Sequence, residues 1–305
     1  MKIKGSISIV ILFYIGFVSC NQNKTDDNST DQFTSGTYSF VFDESISPIL
    51  DQEMYVFKSL YTQAKPNVNY QPENKILDLV LNNKARFAVM SRDLDKSEVK
   101  LLTNRGLPPK IGKVAYDAIT LIVGRNNRDT IMSLAQIKNL FNSDTKSTKN
   151  LVFDNPNSSV LNYLKNSFSL KNLNQKNIYA VKNSKEVIKY VAEHDDAIGF
   201  ISYSWLIEPD SDYVNATKNI KIVGIRNENL KDKATDYFKP SQSTLALKQY
   251  PLIRSVYIID CTGRVGLGTG FAAFLQSERG QKIVLRSGLL PDSMPTREIS
   301  IKKEL

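Results

Sequence analysis

Residues 115–124 read Ala-Tyr-Asp-Ala-Ile-Thr-Leu-Ile-Val-Gly, a β-rich run that predicts a strand near the middle of the 305-residue chain. Upstream of this run, strand-like segments alternate three times with segments whose apolar residues recur at helical spacing. The six segments are 38–42, 49–63, 67–71, 75–82, 85–90 and 96–104. This βαβαβα order predicts a parallel sheet with helices on both faces.

The alternation of strands and helices continues downstream of residue 124. The predicted helices are 134–141, 160–168, 185–193 and 270–287; the predicted strands are 150–153, 178–181, 197–202, 220–224 and a long β-rich segment, 243–259. The glycine-rich segment 266–270 is interpreted as a flexible connector before the last helix. We therefore expect two α/β halves, with the last helices returning to the first half.

The first twenty residues have the pattern of a secretory signal. Lys2 and Lys4 precede an apolar run over residues 7–17, and Ser19 precedes Cys20. The apolar run is shorter than the ~20 residues that a membrane-spanning helix needs. We therefore expect residues 1–19 to be a cleaved signal peptide.

The end of this signal resembles the lipobox of bacterial lipoproteins. The resemblance implies that Cys20 receives a lipid and anchors the mature chain outside the cytoplasm, on the periplasmic side or at the cell surface. Residues 21–35 are polar or charged except Phe33, so residues 20–35 are expected to form a flexible tether. The remaining chain is long enough for two lobes.

Composition argues against several classes of function. The net charge is +9, or +7 without Lys2 and Lys4, but the basic residues are scattered, so no nucleic acid partner is expected. The single histidine, His194, lies in an acidic turn and is expected at a helix end. Cys261, the other cysteine besides Cys20, is expected to be a buried thiol without a disulfide partner. Without a metal-ligand cluster or a nucleophile motif, we expect no metal, no cofactor and no catalysis.

Five segments, in chain order, resemble the phosphate-type (PstS-like) substrate-binding proteins of ABC transporters. They are 116–123, 134–141, 197–201, 250–258 and 277–291. The first and fourth are similar to the two crossover strands of that family, D-A-hydrophobic and Y-P-L-x-R-x-L-Y. The last is similar to its closing S-x-x-G-Q followed by G-hydrophobic-hydrophobic-P. The matches span most of the chain beyond the expected tether.

The resemblance implies a type II periplasmic-binding-protein fold, in which two α/β lobes are joined by a two-crossover hinge. The first lobe is expected to comprise residues 36–114 and 251–305, and the second residues 115–250. It also implies a monomeric solute-binding protein that captures phosphate or a related small anion between the lobes. Such a protein would close about its hinge and deliver the anion to ABC permease components.

The first candidate ligand-binding loop contains Ser45 and Ile46. In the family, a hydroxyl and the next backbone N–H contact the oxyanion here, which implies Ser45 Oγ and the N–H of Ile46. Asp43 and Glu44 precede them where the family has a glycine. The alternative, which stays open, is that Ser45 or Ser47 only caps the following helix.

The second candidate loop contains Ser91, Arg92 and Asp93, directly after the predicted strand 85–90. Ser91 can donate a hydroxyl, and Arg92 can direct two hydrogen bonds at a tetrahedral oxyanion. Asp93 is a residue that would modulate such a ligand. The alternative is a solvated Arg92 with Asp93 as a plain helix cap.

The third candidate loop contains Asp154, Ser158 and Ser159. In phosphate binders the corresponding loop is R-x-x-x-S-G-T, so Ser158 and Ser159 correspond to the Ser-Gly pair and Asp154 stands in place of the arginine. A carboxylate that points into the cleft opposes an anion, whereas one that turns away to cap the helix leaves the loop able to bind. A second function therefore stays open: a sensor or scaffold lipoprotein of the same fold that binds a protein partner.

Overall fold

The computed structural model describes residues 31–141, 149–170, 173, 176–230 and 235–294. The expected signal peptide, residues 1–19, and the expected lipid attachment site, Cys20, lie outside these residues. No helix in the described part of the chain is both long and apolar enough to cross a membrane.

The first third of the chain forms the three strand–helix units that the sequence predicts. The strands are β1 (Gly36–Asp43), β2 (Ala64–Gln71) and β3 (Phe87–Met90), and the helices are α1 (Ser47–Leu60), α2 (Glu73–Leu81) and α3 (Lys96–Asn104). β1 lies between β2 and β3 and pairs in parallel with both. The predicted parallel pairing is confirmed for these three strands.

The middle of the chain forms a second α/β region. Its elements are β4 (Lys110–Gly124), β5 (Ile131–Ser133), α4 (Leu134–Leu140), β6 (Asn150–Phe153), α5 (Ser159–Phe168), β7 (Ile178–Ala180), α6 (Ser184–Glu193), β8 (Ala197–Ser202), α7 (Val214–Thr217), β9 (Ile220–Ile222), β10 (Gly224–Arg226), β11 (Tyr237–Phe238) and α8 (Gln242–Ala246). β6 pairs in parallel with β7 and β8, while β5, β10 and β11 form a separate small sheet.

The chain then returns to the first region through β12 (Ile253–Asp260), α9 (Leu267–Gln276), α10 (Glu278–Arg286) and β13 (Leu290–Pro291). The main sheet has the order β2-β1-β3-β12-β4-β8-β6-β7. We call β2, β1, β3, β12 and residues 110–118 of β4 the first half-sheet, and residues 119–124 of β4 with β8, β6 and β7 the second half-sheet.

β4 and β12 make the sheet mixed and not wholly parallel. β12 runs antiparallel to both β3 and β4, and β4 runs antiparallel to β8. The reason is that β4 carries the chain from the first half-sheet to the second and β12 carries it back. The strand–helix alternation predicts a wholly parallel sheet, and this prediction is wrong for β4 and β12, which run antiparallel to their neighbours.

Helices cover both faces of each half-sheet because the strand residues alternate between the faces. In β1, Phe40 and Phe42 pack with residues of α1 and α9, whereas Val41 packs with residues of α2 and α3. The rings of Phe40 and Phe271 have centroids 5.3 Å apart in an edge-on arrangement. The second half-sheet is buried in the same way between α4 and α5 on one face and α6 on the other.

Two predicted elements near the C-terminus differ from the structure. The expected helix 270–287 is two helices that meet at Ser277, whose extended backbone ends α9 and whose Oγ accepts from Gly280 N at the start of α10. The expected β-rich segment 243–259 begins instead with α8, because Ser241 and Thr244 form a capping box. The strand β12 starts only at Ile253.

The glycine-rich segment 266–270 belongs to a helix and not to a flexible connector. Asp31 Oδ2 accepts from Leu267 N at 2.9 Å and so caps α9 from a distant part of the chain. A side chain on Gly266 or Gly270 would collide with Asp31 or with the carbonyl of Phe33. The glycines therefore allow residues 31–35 to pack closely on α9, and the tether expected over residues 20–35 does not include this end.

Candidate functional site

Two serine hydroxyls from distant parts of the chain meet between the half-sheets. Ser45 lies in a 3-10 turn, Glu44–Ile46, that follows β1, and Ser159 is the first residue of α5. Their Oγ atoms are 2.7 Å apart, and both residues are buried. Both are among the ligand-binding residues expected from the sequence, and the structure brings them together.

Arg254 of β12 contacts both hydroxyls with one guanidinium. Its Nη1 donates to Ser159 Oγ at 2.7 Å, and its Nη2 donates to Ser45 Oγ at 2.9 Å. Its Nε donates at 2.9 Å to Oδ2 of Asp117, the residue opposite Arg254 in the β4–β12 pairing. Because the guanidinium is planar with fixed donor directions, it holds all three side chains in one arrangement.

Asp117 and Arg254 are a buried ion pair, with 0 % and 3 % of their surface exposed. Oδ1 of Asp117 also accepts from Ser202 Oγ at 2.9 Å, at the end of β8. Removing one member of such a pair leaves the other charge buried without a partner, which is strongly unfavourable. The two charges of this ion pair therefore lie on β4 and β12, the strands that connect the half-sheets.

Asp43 organises the first candidate loop. Its Oδ1 accepts from Ser45 N at 3.0 Å, and its Oδ2 accepts from Ser91 Oγ at 2.7 Å. Asp43, and neither Ser45 nor Ser47, is thus the residue whose side chain caps the turn. The hydroxyl of Ser45 is therefore left to hydrogen-bond with Ser159 and Arg254, whereas the hydroxyl of Ser91 donates to Asp43.

Asp154 points inward and does not cap α5. The cap of that helix is Ser158, whose Oγ accepts from Leu161 N at 3.2 Å. Asp154 is 2 % exposed; its Oδ2 accepts from Ser184 Oγ at 3.4 Å, and its Oδ1 has no hydrogen-bond partner in the described part of the chain. Burial raises the pKa of Asp154 to about 6; the Ser158 hydroxyl opposes this rise and the charge of Asp43 adds to it.

Glu44 adds a third carboxyl group beside Asp43 and Asp154. Partial burial, followed by the charges of Asp154 and Asp43, raises the pKa of Glu44 to about 7. These three carboxyl groups therefore lie near enough to influence one another. Lys182 acts on Glu44 in the opposite direction, and the nearby guanidinium of Arg254 is already paired with Asp117, so carboxyl groups outnumber cations around the two serines.

Arg92 and Asp93 are not brought to the serine pair. Nη1 and Nη2 of Arg92 donate to the two carboxylate oxygens of Glu98 at 2.9 and 2.8 Å, and Nε lies 3.6 Å from Glu73 Oε1. Asp93 Oδ1 accepts from Leu94 N at 2.7 Å, as a local turn residue would. Arg92 takes this position because Glu98 is fixed nearby as part of the capping box of α3.

Sequence reasoning missed the roles of Arg254 and Asp117 because both were assigned only to crossover strands. A signal was present in the sequence. Each is a charged residue inside a largely apolar, strand-like run, and a charge in a buried strand requires a partner. Two such charges, in the two predicted crossover strands, could have been paired with each other.

Further contacts join the half-sheets around the serine pair. On one side, Trp205 Nε1 donates to the carbonyl of Ser45 at 2.8 Å. On another side, Asn162 Nδ2 donates to Glu73 Oε1 at 3.0 Å and to Asn74 Oδ1 at 2.8 Å. In this conformation the two halves of the molecule are in contact and the serine pair is enclosed.

The described residues contain no group of three His, Cys, Asp or Glu side chains that could hold a metal ion. His194 lies at the C-terminal end of α6, as expected, with its ring stacked on Tyr190. Cys261 is buried, as expected, and burial raises the pKa of its thiol to about 11. Neither residue contacts the serine pair in any described hydrogen bond.

Comparisons with known proteins agree with this architecture. A family model described as a PBP superfamily domain matches residues 27–279. The phosphate-binding protein PstS of Staphylococcus aureus (strain USA300) is 26% identical over 183 residues, which are 56% of this chain and 52% of that protein. The chain thus spans about half the length of the curated relatives it matches.

Solved structures of low sequence identity share the fold. A putative phosphate ABC transporter substrate-binding protein with bound phosphate from Clostridium perfringens superposes with a TM-score of 0.68 at 21% identity, covering 84% of this chain and 100% of that one. An ABC-type phosphate transport receptor from Vibrio cholerae gives 0.61 at 18% identity, covering 83% and 98%. At these identities the likeness shows the mixed α/β fold of periplasmic binding proteins.

Proposed function

The chain belongs to the PBP superfamily, and from this membership we propose that it is a solute-binding protein for an ABC transporter. Its ligand is an inorganic oxyanion, phosphate first of all, held in a cleft between the two half-sheets. The protein binds and releases this ligand without catalysing a reaction. The named relatives, which are phosphate-binding or phosphate transport proteins, support this choice of ligand.

The observation that carries the proposal is the meeting of Ser45, Ser159 and Arg254. Two hydroxyls and two guanidinium nitrogens lie within one hydrogen-bonded group, although they come from three separate parts of the chain. A guanidinium directs paired hydrogen bonds at an oxyanion, and each hydrogen bond to a charged group contributes ~1.5–3 kcal/mol. Arg254, and not Arg92, provides the guanidinium in this proposal.

Two helix starts complete the proposed shell. Ile46 and Ser158 immediately precede α1 and α5. The first turn of a helix presents unpaired N–H groups and the positive end of the helix dipole, both of which favour an anion. We assign the backbone N–H of Ile46 and the hydroxyl of Ser158 to the ligand, and Ser91 to the support of Asp43.

Binding requires the half-sheets to separate. Ser45 Oγ and Ser159 Oγ are in direct contact, so an anion can enter between them only when they move apart. β4 and β12 connect the two halves and would serve as the hinge, with lobe boundaries near residues 114 and 251. The contacts from Trp205 to Ser45 and from Asn162 to Glu73 would break on opening and form again on closure.

The proposed setting is the cell envelope. The expected signal peptide and the lipid at Cys20 would hold a monomeric binding domain on the extracytoplasmic side of the membrane, beside the ABC permease. Residues 31–35 pack on α9 and are therefore not part of the proposed tether.

A second candidate function is a sensor or scaffold that binds a protein partner. The specific observation in its favour is the buried, inward-facing carboxyl group of Asp154, at the position where phosphate binders have arginine. A carboxylate near an anion is repelled by ~4 kcal/mol at 4 Å under near-surface screening. This candidate predicts that no small anion binds tightly.

Thermal unfolding of the purified full chain, titrated with phosphate, sulfate, arsenate and a panel of amino acids, tests the proposal. A ligand at ~100 times its dissociation constant stabilises the folded state by ~2.7 kcal/mol, which gives a clear shift in Tm. A shift with phosphate supports transport-type binding. A folded sample that shifts with none of these compounds contradicts it and favours the sensor or scaffold.

A further inference from the structure

Carboxyl groups outnumber cationic groups around the serine pair. Asp43, Glu44 and Asp154 influence one another electrostatically, and Asp117 already occupies the Nε of Arg254. An inorganic dianion that entered this site would meet four carboxyl groups against two cations, Arg254, which is already paired with Asp117, and Lys182, whose positive charge acts on Glu44. The charge of the site therefore suits a ligand that brings positive charge of its own.

Asp154 is the side chain that would bind the positive charge of such a ligand. Its side chain is 2 % exposed, and its Oδ1 has no hydrogen-bond partner in the described part of the chain. A buried acceptor without a donor is unfavourable, so a donor from the ligand would be well placed there. The positive charge of Arg254 acts to lower the pKa of Asp154, and Ser159 begins the helix that follows the loop of Asp154. This acceptor therefore adjoins the proposed oxyanion subsite.

We infer that the ligand of this site is a small zwitterion, whose oxyanion group binds Ser45, Ser159 and Arg254 and whose ammonium group binds Asp154 and Glu44. The inference rests on the oxyanion site of the proposed function, and it replaces inorganic phosphate with an organic phosphonate or phosphate that carries a second, positively charged group. An ammonium offers three donors and one positive charge, which match the unpartnered Oδ1 of Asp154 and the neighbouring carboxyl group of Glu44. The ligand class is an aminoalkyl phosphonate or aminoalkyl phosphate.

The titration of the two carboxyl groups agrees with this assignment. Burial is the main cause that raises the pKa of Glu44 to about 7 and of Asp154 to about 6, and neighbouring carboxylates add to it in both cases. A cation placed between two such groups favours their ionised forms and lowers both pKa values. Binding of the zwitterion is therefore accompanied by proton release near neutral pH.

Isothermal titration of the full chain with three probes tests the inference. The probes are inorganic phosphate, 2-aminoethylphosphonate and propylphosphonate, in which a methyl group replaces the ammonium. We expect the amino compound to bind at least about tenfold more tightly than propylphosphonate, since one charge-assisted hydrogen bond distinguishes them. In Asp154→Asn this preference falls to about threefold or less, without weaker binding of propylphosphonate. Asp129→Asn, a carboxyl group paired with Lys149 elsewhere, keeps the preference.

The outcomes separate this inference from the proposed function. If phosphate and propylphosphonate bind but the amino compound binds no more tightly, the zwitterion is excluded and the oxyanion site stands. If none of the three probes binds a folded sample, both are overturned. Should Asp154→Asn not fold, Glu44→Gln gives the same comparison, and a preference that survives in Glu44→Gln overturns the inference.

Discussion

Arg254 and Asp117 face each other across the antiparallel pair β4–β12, and Arg254 Nε donates to Asp117 Oδ2 at 2.9 Å. The other two nitrogens of the same guanidinium hold Ser159 and Ser45, one from each half of the molecule. One side chain therefore links the strands that connect the half-sheets to the serines that would contact a ligand. Stability and binding should consequently respond together when Arg254 is changed.

Arg254→Met should abolish anion binding and lower the free energy of unfolding by about 3–5 kcal/mol, because it leaves the Asp117 charge buried without its partner. Urea unfolding and isothermal titration with phosphate measure the two effects. The double variant Arg254→Met, Asp117→Leu should regain part of the stability and none of the binding, since it removes the unpaired charge without restoring the guanidinium.

Arg92→Ala is the matched control, since Arg92 is an arginine paired with carboxylates outside the cluster. It should change phosphate affinity by no more than about threefold, as expected for a partly exposed ion pair. Loss of binding in Arg92→Ala together with retained binding in Arg254→Met would reverse the assignment of the guanidinium.

Asp154→Asn should increase phosphate affinity in a pH-dependent way. Its pKa in the folded protein, about 6, is raised above the ordinary value of 3.8, so Asp154 is protonated below about pH 5 and ionised above about pH 7. Only the ionised form repels the anion. The variant should therefore bind phosphate about tenfold more tightly than the native chain near pH 8, and equally well near pH 5.

The ratio of affinities at each pH is the quantity to measure, by isothermal titration. The charges of Asp43, Arg254 and Lys182 are present in both proteins, whereas Glu44, whose pKa is raised to about 7 in part by Asp154, and phosphate itself gain charge over the same pH range and steepen the change in the ratio. A ratio that does not change with pH would show that Asp154 does not face the anion.

Glu53→Leu should stabilise the protein, and more so at alkaline pH. Glu53 on α1 is 0 % exposed, neither carboxylate oxygen has a hydrogen-bond partner in the described residues, and burial raises its pKa to about 9. The pKa of Glu53 is higher in the folded protein than in the unfolded chain. The protein is therefore most stable with respect to this group below about pH 4.5, and it loses stability as the pH rises toward about 9. The gain in unfolding free energy from Glu53→Leu should grow by about 4 kcal/mol between about pH 5 and pH 8.

Urea unfolding at both pH values checks this prediction. Glu278→Gln is the control, because Glu278 is an exposed residue of α10 in an ion pair with Lys282. Its effect on stability should be small, no more than about 1 kcal/mol, and similar at both pH values. An equal gain from Glu53→Leu at both values would mean that Glu53 is not protonated in the folded protein.

Gly270→Ala should destabilise the protein by about 1–3 kcal/mol, although alanine is the better helix former. The added Cβ would collide with the carbonyl oxygen of Phe33, so residues 31–35 would have to move off α9. Unfolding by urea measures the loss, and limited proteolysis should cut within residues 31–35 more readily. Ala273→Ser, an exposed change on the same helix, should leave both unaffected, and resistance of Gly270→Ala to cleavage would argue against this packing.

Much of the local structure could be predicted because it depends on short-range patterns. The helix predicted at residues 96–104 is the observed α3, and the alternation of strands and helices upstream of residue 104 is that of the structure. Errors arose where a distant or single polar group decides the outcome. Ser277 divides the last predicted helix, and Asp31 converts the glycine-rich segment into the start of α9.

The site was predictable in part. Ser45 and Ser159 could be predicted because both lie in loops that follow predicted strands. The structure places their hydroxyls together although 114 residues separate them in the chain. The choice between Arg92 and Arg254 did not follow from local sequence. Arg92 stands in a polar loop beside a strand end, and its proximity to Glu98 and Glu73 becomes evident only when α2 and α3 are in place.

The sequence by itself determined the α/β alternation, the family and the candidate loops, because hydrophobic periodicity and short motifs are local properties of a chain. The tertiary structure alone decided which guanidinium joins the serines, which way Asp154 points and which carboxyl groups share one buried space. These depend on burial and on contacts between residues far apart in the chain. The free energy of a buried charge is set by the partners that the folded chain brings to it.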